Sequence, residues 1–162
     1  MSLVVGLGEL LWDMLPAGNQ LGGAPSNFAY ISSLFGDHAV VVSRVGNDDL
    51  GREALVRVQS LGVDCTAVQV DDKHPTGTVA VSVDANGFPE FHIMPDVAWD
   101  HIDWNFGLQQ LASKADVVCF GSLAQRGEPS RSTIHHFLRA TRESCLRIFD
   151  VNLRQSFYDA VT

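Results

Sequence analysis

Short apolar runs alternating with stretches of helical periodicity leave this 162-residue chain few architectures. Leu3-Val4-Val5-Gly6-Leu7-Gly8, Ala39-Val40-Val41-Val42-Ser43, Asp116-Val117-Val118-Cys119-Phe120-Gly121 and Leu146-Arg147-Ile148-Phe149-Asp150 each read as a strand. A run that stays apolar instead of alternating suits a strand covered on both faces. Phe28, Ile31, Leu34 and Phe35 fall on roughly helical spacing and predict a helix from Pro25 to Phe35, stopped at Gly36. Asp48 predicts the cap of a second helix carrying Leu50, Ala54, Leu55, Val58 and Leu61, closed by Gly62. Asp103 predicts the cap of a third through Phe106, Leu108 and Leu111. Pro129 to Ser144 predicts a fourth, with Ile134, Phe137 and Leu138 inward. Strands alternating with helices specify an α/β fold with a right-handed, mostly parallel sheet.

Two segments depart from that rhythm. Thr76 to Val83 is β-branched and partly alternating, and Phe88 to Met94 resumes an extended pattern. Asp84-Ala85-Asn86-Gly87 between them has hairpin-turn chemistry, so an antiparallel hairpin is expected. Glu9 to Leu15 reads as a further extended piece, and Val68-Gln69-Val70 as a short strand.

Hydrophobic residues make up 46% of the chain, enough for one globular domain with a real core. No apolar run is long enough to span a membrane, and no basic region precedes the first strand, so a cytoplasmic protein without a membrane partner is expected. Cys65, Cys119 and Cys145 are too widely and oddly spaced for a disulfide framework or a zinc site. The net charge of −8 argues against a nucleic-acid partner. Such a protein still binds an anion through helix N-termini, a few basic side chains and a metal ion.

Gly22-Gly23-Ala24-Pro25-Ser26-Asn27 builds a tight turn onto a helix N-terminus. It fits a ligand-binding device, and it equally fits a plain turn with an Asn in the first helical turn. Ligands of open α/β sheets sit at the carboxyl ends of strands. Asp13, Gly22-Gly23, Gly121-Ser122 and Asp150-Val151-Asn152-Leu153-Arg154 all follow predicted strands, so several polar strand ends converge. Gly6-Leu7-Gly8 is not a dinucleotide fingerprint, because Leu11 stands where the third glycine belongs. His135 and His136 are adjacent on a helix and point to different faces, so they do not form a metal pair.

The run from Gly22 to Ala29, with Gly36 and Gly46 downstream, resembles the N-terminal signature of the ribokinase-like (PfkB) carbohydrate kinases. Gly8-Glu9-Leu10-Leu11-Trp12-Asp13, Val45 to Gly51, Thr76-Gly77-Thr78, Phe120-Gly121-Ser122-Leu123 and Asp150 to Arg154 support it. Ala98-Trp99-Asp100 and the Asp-Val-Asn-Leu-Arg run look most like the bacterial fructokinase branch. The resemblance implies a Rossmann-type three-layer sandwich with a small β-hairpin lid: core about 1–11, 22–75 and 95–162, lid about 12–21 and 76–94. Members are roughly twice as long, and their Asn-x-x-Glu and Gly-Ala-Gly-Asp motifs do not occur here. An incomplete fold is therefore expected, the N-terminal part of a kinase that is inactive alone because it lacks the aspartate base and most of the nucleotide site.

The resemblance also implies roles. Asp13, Gly22, Gly23 and Asn27 hold the sugar, and Phe91 and Ile93 cover it from one face of the lid strand, with His92 on the other. Arg154 stabilises charge on a transferring phosphoryl group, and Asp150 and Asn152 join a water–magnesium network. The implied reaction is ATP-dependent phosphorylation of a sugar hydroxyl, with fructose or a related hexose as substrate, ATP and Mg²⁺ as cofactors, and a homodimer formed through the lid. The alternatives are a nucleoside or keto-sugar-acid kinase, and a non-catalytic sugar-binding or dimerisation module. The absence of Arg and Lys between Gly87 and Met94 weakens the acidic-substrate version.

Overall fold

The computed structural model describes residues 1–83, 89–155 and 157. In chain order the elements are β1 (Leu3–Leu7), β2 (Leu11–Met14), β3 (Gln20–Gly22), α1 (Ala24–Leu34), β4 (His38–Gly46), α2 (Asp49–Ser60) and β5 (Val68–Asp71). They continue with β6 (Gly77–Val83), β7 (Pro89–Ile93), α3 (Phe106–Lys114), β8 (Val117–Gly121), α4 (Glu128–Ala140) and β9 (Leu146–Asp150). The four apolar runs and β5 form one sheet in the order β5-β4-β1-β8-β9, and every pairing in it is parallel.

Both faces of this sheet are covered, as the unbroken apolar runs require. On one face Ala39, Val41 and Val45 of β4 pack with Ala29 of α1 and with Ala54 and Val58 of α2. On the other, Val5 and Leu7 of β1, Val42 of β4 and Val118 of β8 pack with Leu108 and Ala112 of α3 and with Ile134 and Phe137 of α4. The result is a three-layer α/β/α arrangement. Each fully buried Val, Leu, Ile or Phe side chain contributes about 1.5–3 kcal/mol to holding the layers together.

Local details differ from the sequence pattern in three places. Helix α1 buries Pro25, Ser26 and Ala29, whereas Ile31, Leu34 and Phe35 are 50%, 62% and 84% exposed. The cause is close approach to the sheet: a Cβ at Gly6 would stand 2.1 Å from the Pro25 carbonyl oxygen, so only small residues fit at the contact. Helix α3 is capped by Asn105, whose Oδ1 accepts from the Leu108 N–H at 3.0 Å, and not by Asp103. Asp103 is instead drawn to Arg44 and Gln69. Helix α4 spans Glu128–Ala140 and stops short of Ser144, because Thr141 takes an extended backbone. The Asp48 cap of α2 stands as expected, accepting from the Gly51 N–H at 2.7 Å.

A second sheet runs β3-β2-β6-β7. β6 and β7 form the expected antiparallel hairpin, while the turn expected at Asp84–Gly87 lies outside the described residues. β2 adds to β6 in parallel and turns back on β3, a strand that the local pattern does not announce. Trp12 of β2 is fully buried and its indole N–H donates to the Leu50 carbonyl at 3.0 Å, so this sheet is bolted to α2. The chain leaving β7 makes a 3₁₀ turn at Ala98–His101 that docks on α4. There the Ser130 hydroxyl donates to the Trp99 carbonyl at 2.7 Å and accepts from the Ile102 N–H at 2.8 Å.

Candidate active site

The carboxyl end of β1 is where the two sheets meet. Gly8 and Glu9 leave β1, and Glu9 is buried although it carries a carboxyl group. Its Oε1 accepts from the Ala24 N–H at 3.1 Å, and its carbonyl accepts from the Ser26 hydroxyl at 3.1 Å. The first turn of α1 is thereby fixed to the end of β1. Gly23 sits between them with φ of 115°, and a Cβ there would come 2.2 Å from the Glu9 carbonyl oxygen. Only glycine fits that junction. Burial pushes the Glu9 carboxyl up to about 7, against the opposing pull of the Glu9 and Ala24 main-chain N–H groups; Asp150 raises it further and Arg126 lowers it. Among the described residues no group partners its buried Oε2.

Leu11 and Asp13 of β2 are two residues apart and share a face of the second sheet. β6 lies alongside, with Asp13 in register with Val79, and Val79 in register with Ile93 of β7. Burial alone raises the Asp13 carboxyl above the usual aspartate range. β7 is tied to the segment after β9 by the Ile93 N–H, which donates to Gln155 Oε1 at 2.8 Å.

These elements enclose a cleft of about 310 Å³. Glu9, Gly23, Ala24 and Asn27 form the side at the α1 N-terminus, and Leu11, Asp13, Val79, Phe91 and Ile93 form the side of the second sheet. Leu123, Asn152 and Arg154 complete it from the carboxyl ends of β8 and β9. Of the residues anticipated from sequence, Asp13, Gly23, Asn27, Phe91, Ile93, Asn152 and Arg154 are brought together here. Gly22 and Asp150 do not line the cleft. Gly22 lies behind Asp13, where a Cβ would meet the carboxylate Oδ2 at 2.9 Å. Asp150 ends β9, and its carbonyl accepts from the Ser122 N–H at 3.0 Å. Glu9 was not anticipated as a site residue, although a carboxylate directly after an unbroken apolar strand was the available signal. The apolar wall of Leu11, Val79 and Leu123 had none, because it depends on sheet register.

A larger groove of about 440 Å³ lies elsewhere, lined by Leu3 and His38 with Asp64, Asn105 and Lys114. Leu3 and His38 are the first residues of β1 and β4, so this groove is at the amino ends of the strands. Open parallel sheets bind ligands at the other end. The cleft at Glu9 is therefore the candidate site.

Comparison with known proteins is consistent with this geometry. The model of the pfkB family carbohydrate kinases matches residues 17–162. A putative sugar kinase of Pyrococcus horikoshii is 31% identical over 164 residues, covering 94% of this chain and 53% of its own. Its structure in complex with ATP matches with a TM-score of 0.81 at 30% identity, over 96% of this chain and 54% of that one. Fructokinase of Salmonella typhimurium is 33% identical over 159 residues, covering 94% of this chain and 51% of its own. Fructokinase of Vibrio cholerae O395, in its form with bound fructose, ADP and calcium ion, matches with a TM-score of 0.77 at 25% identity, over 98% of this chain and 53% of that one. The chain spans about half the length of the curated relatives it matches. By this match and the shared fold, the chain belongs to the pfkB family of carbohydrate kinases.

Proposed function

We propose that the cleft binds a sugar, fructose or a related hexose, as the phosphoryl acceptor of an ATP-dependent kinase. One observation carries the reading: the Asp13 carboxylate of β2, the Asn27 carboxamide of α1, and the Asn152 carboxamide and Arg154 guanidinium of the segment after β9 surround, with the buried Glu9 carboxyl, one apolar-walled cleft at the carboxyl end of the sheet. Asp13 accepts hydrogen bonds from two adjacent hydroxyls, and Asn27 both donates and accepts. Leu11, Val79 and Ile93 pack against the C–H face of the ring. The Vibrio cholerae structure with bound fructose supports a hexose.

Arg154 stabilises charge developing on the transferring phosphoryl group. The oxygen donors of Asp150 and Asn152 suit a magnesium ion held largely through water. Magnesium-bound ATP supplies the phosphoryl group when present. The second sheet serves as a lid, with Phe91 and Ile93 excluding water from the acceptor hydroxyl. Its outer face, carrying Ala80, Ser82 and His92, is where a second copy of the chain would pair. Neither Asn-x-x-Glu nor Gly-Ala-Gly-Asp occurs in these 162 residues. The proton acceptor and the main phosphate cradle are accordingly assigned to residues outside them.

Calorimetric titration of the protein with fructose, glucose, a nucleoside and a keto-sugar acid tests the substrate. Saturable hexose binding is expected, and preferential binding of the nucleoside or the acid would overturn the assignment. ATP-dependent phosphorylation of a hexose by the 162-residue chain alone would overturn the division of labour.

A further inference from the structure

Three ligating side chains gather away from the cleft, at the foot of the β6–β7 hairpin. His74 lies on the segment leading from β5 into β6, and Asp96 and His101 lie on the segment leaving β7. Asp96 Oδ1 is 2.9 Å from His101 Nε2 and 3.8 Å from His74 Nε2. All three ligand atoms fall within 4.8 Å of one another. The geometry points to a binding site for one divalent transition-metal ion of the zinc class, held by His74 Nε2, His101 Nε2 and Asp96 Oδ1, that clamps the two legs of the hairpin together.

Bonds of ~2.0 Å in a tetrahedron set the ligand atoms about 3.3 Å apart. The two distances at Asp96 bracket that edge. Nitrogen with one carboxylate oxygen is a donor set suited to zinc, cobalt or nickel, and a poor one for magnesium or calcium.

The surroundings of His74 supply a second, independent observation. Its Nδ1 is 3.0 Å from Oδ2 of Asp71, a buried carboxylate. Asp71 is fixed in turn: its Oδ1 accepts from the Lys73 and His74 N–H groups at 2.7 and 3.1 Å, and Arg44 Nε lies 2.8 Å from its Oδ2. A carboxylate that accepts a hydrogen bond from Nδ1–H keeps the proton on that nitrogen and leaves Nε2 as the free lone pair, which is how metal-bound histidines are oriented. The two imidazoles stack with centroids 3.6 Å apart and planes 12° apart. Parallel rings carry their lone pairs side by side, so convergence on one ion requires the rings to splay. With His74 held by Asp71, His101 is the ring that turns: its Nε2 gives up the bond to Asp96, the proton shared in that bond passes to Nδ1 of the same ring or to water, and the Nε2 lone pair binds the metal.

Three ligands leave a fourth position for water. No cleft-lining residue takes part, so the site is separate from the proposed sugar pocket. Its occupancy bears on the hairpin because His74 enters it and Asp96 and His101 leave it.

Titration of the protein, purified without a histidine tag and kept reduced, with Zn²⁺ by calorimetry tests the assignment. Co²⁺ serves as a visible-absorption probe. The expected result is one equivalent of Zn²⁺, with the melting temperature rising as free Zn²⁺ exceeds Kd. His101→Ala and Asp96→Asn should each weaken binding at least ~10-fold, on the scale seen when a metal site loses a supporting group. His135→Ala should leave it unchanged. Asp96 is mostly exposed, so Asp96→Asn reads out binding even if His101→Ala fails to fold. Absence of a one-equivalent site, or binding that survives Asp96→Asn unchanged, would overturn the proposal.

Discussion

The Glu9 carboxylate and the Ala24 amide, 15 residues apart in sequence, meet at 3.1 Å and join the end of β1 to the first turn of α1. That contact places a buried acid in the wall of the cleft, with one oxygen bonded and the other unpartnered among the described residues.

Stability should therefore fall as pH rises through the range in which Glu9 ionises. Burial lifts the folded-state value from 4.5 to about 7, so between these pH values the folded protein binds more protons than the unfolded chain. The stabilising contribution of the neutral acid is complete below 4.5 and is lost by about 7. Its size is on the order of 3 kcal/mol. Glu9→Gln keeps an acceptor for Ala24 and cannot ionise. In urea melts it should match the wild type at pH 5 and exceed it at pH 8 by about that amount. Parallel pH profiles for the two proteins would contradict the account.

Gly23 and Gly22 are neighbours in sequence with different work. Gly23→Ala places a Cβ 2.2 Å from the Glu9 carbonyl at a φ of 115°, so strain and overlap act together. A loss of roughly 2–5 kcal/mol is expected, visible as a lowered thermal midpoint. At Gly22 the added Cβ crowds the movable Asp13 carboxylate, at 2.9 Å, and otherwise makes an ordinary contact with Leu11 Cδ1 at 3.4 Å. Gly22→Ala should therefore melt near the wild-type temperature while weakening sugar binding through a displaced Asp13.

Part of this architecture is legible in the chain and part is not, for reasons that particular residues show. The strands of the parallel sheet announce themselves because burial on both faces leaves no polar position, as in Ala39 to Val42. The Asp48 cap is equally local, because its bond to Gly51 spans three residues. The buried face of α1 is hidden because it follows from the space above Gly6 and not from the helix's own apolar residues. Asp103 reads as a cap only until Arg44 and Gln69, 59 and 34 residues away, claim it and leave the role to Asn105. The cleft is legible as a set of polar strand ends, whereas its apolar wall depends on the register between β2, β6 and β7.

Arg126 and Asp100 form a buried two-bond ion pair, Nε to Oδ1 and an Nη to Oδ2, each at 2.8 Å. The same guanidinium stacks over Trp99 at 4.1 Å and donates to the Met94 carbonyl at 2.6 Å. Asp100→Ala leaves that cation buried without its partner and should cost about 3–5 kcal/mol in urea unfolding. Asp100→Ala combined with Arg126→Met removes both charges and should recover a large part of the loss. Additive destabilisation by the two changes would show that the pair itself is not the source.

Asp13 is disfavoured by the folded state, since burial raises its carboxyl and an ionised side chain there is held at some cost. A residue kept for stability would not sit in such a place. Replacing it with Asn removes the charge and keeps the shape, so Asp13→Asn should be as stable as the wild type at pH 8 or slightly more so. Hydroxyl bonds to an ionised acceptor contribute about 1.5–3 kcal/mol, so hexose affinity should fall about 10- to 100-fold. Because the carboxyl is raised, wild-type binding should weaken on acidification at a higher pH than an ordinary aspartate would give, and the Asn variant should lose that pH dependence. Calorimetric titrations of both proteins from pH 4 to pH 8 check the affinity and its pH profile together. Unchanged affinity in the variant would remove Asp13 from the sugar site, and lost stability with unchanged affinity would make it a structural residue.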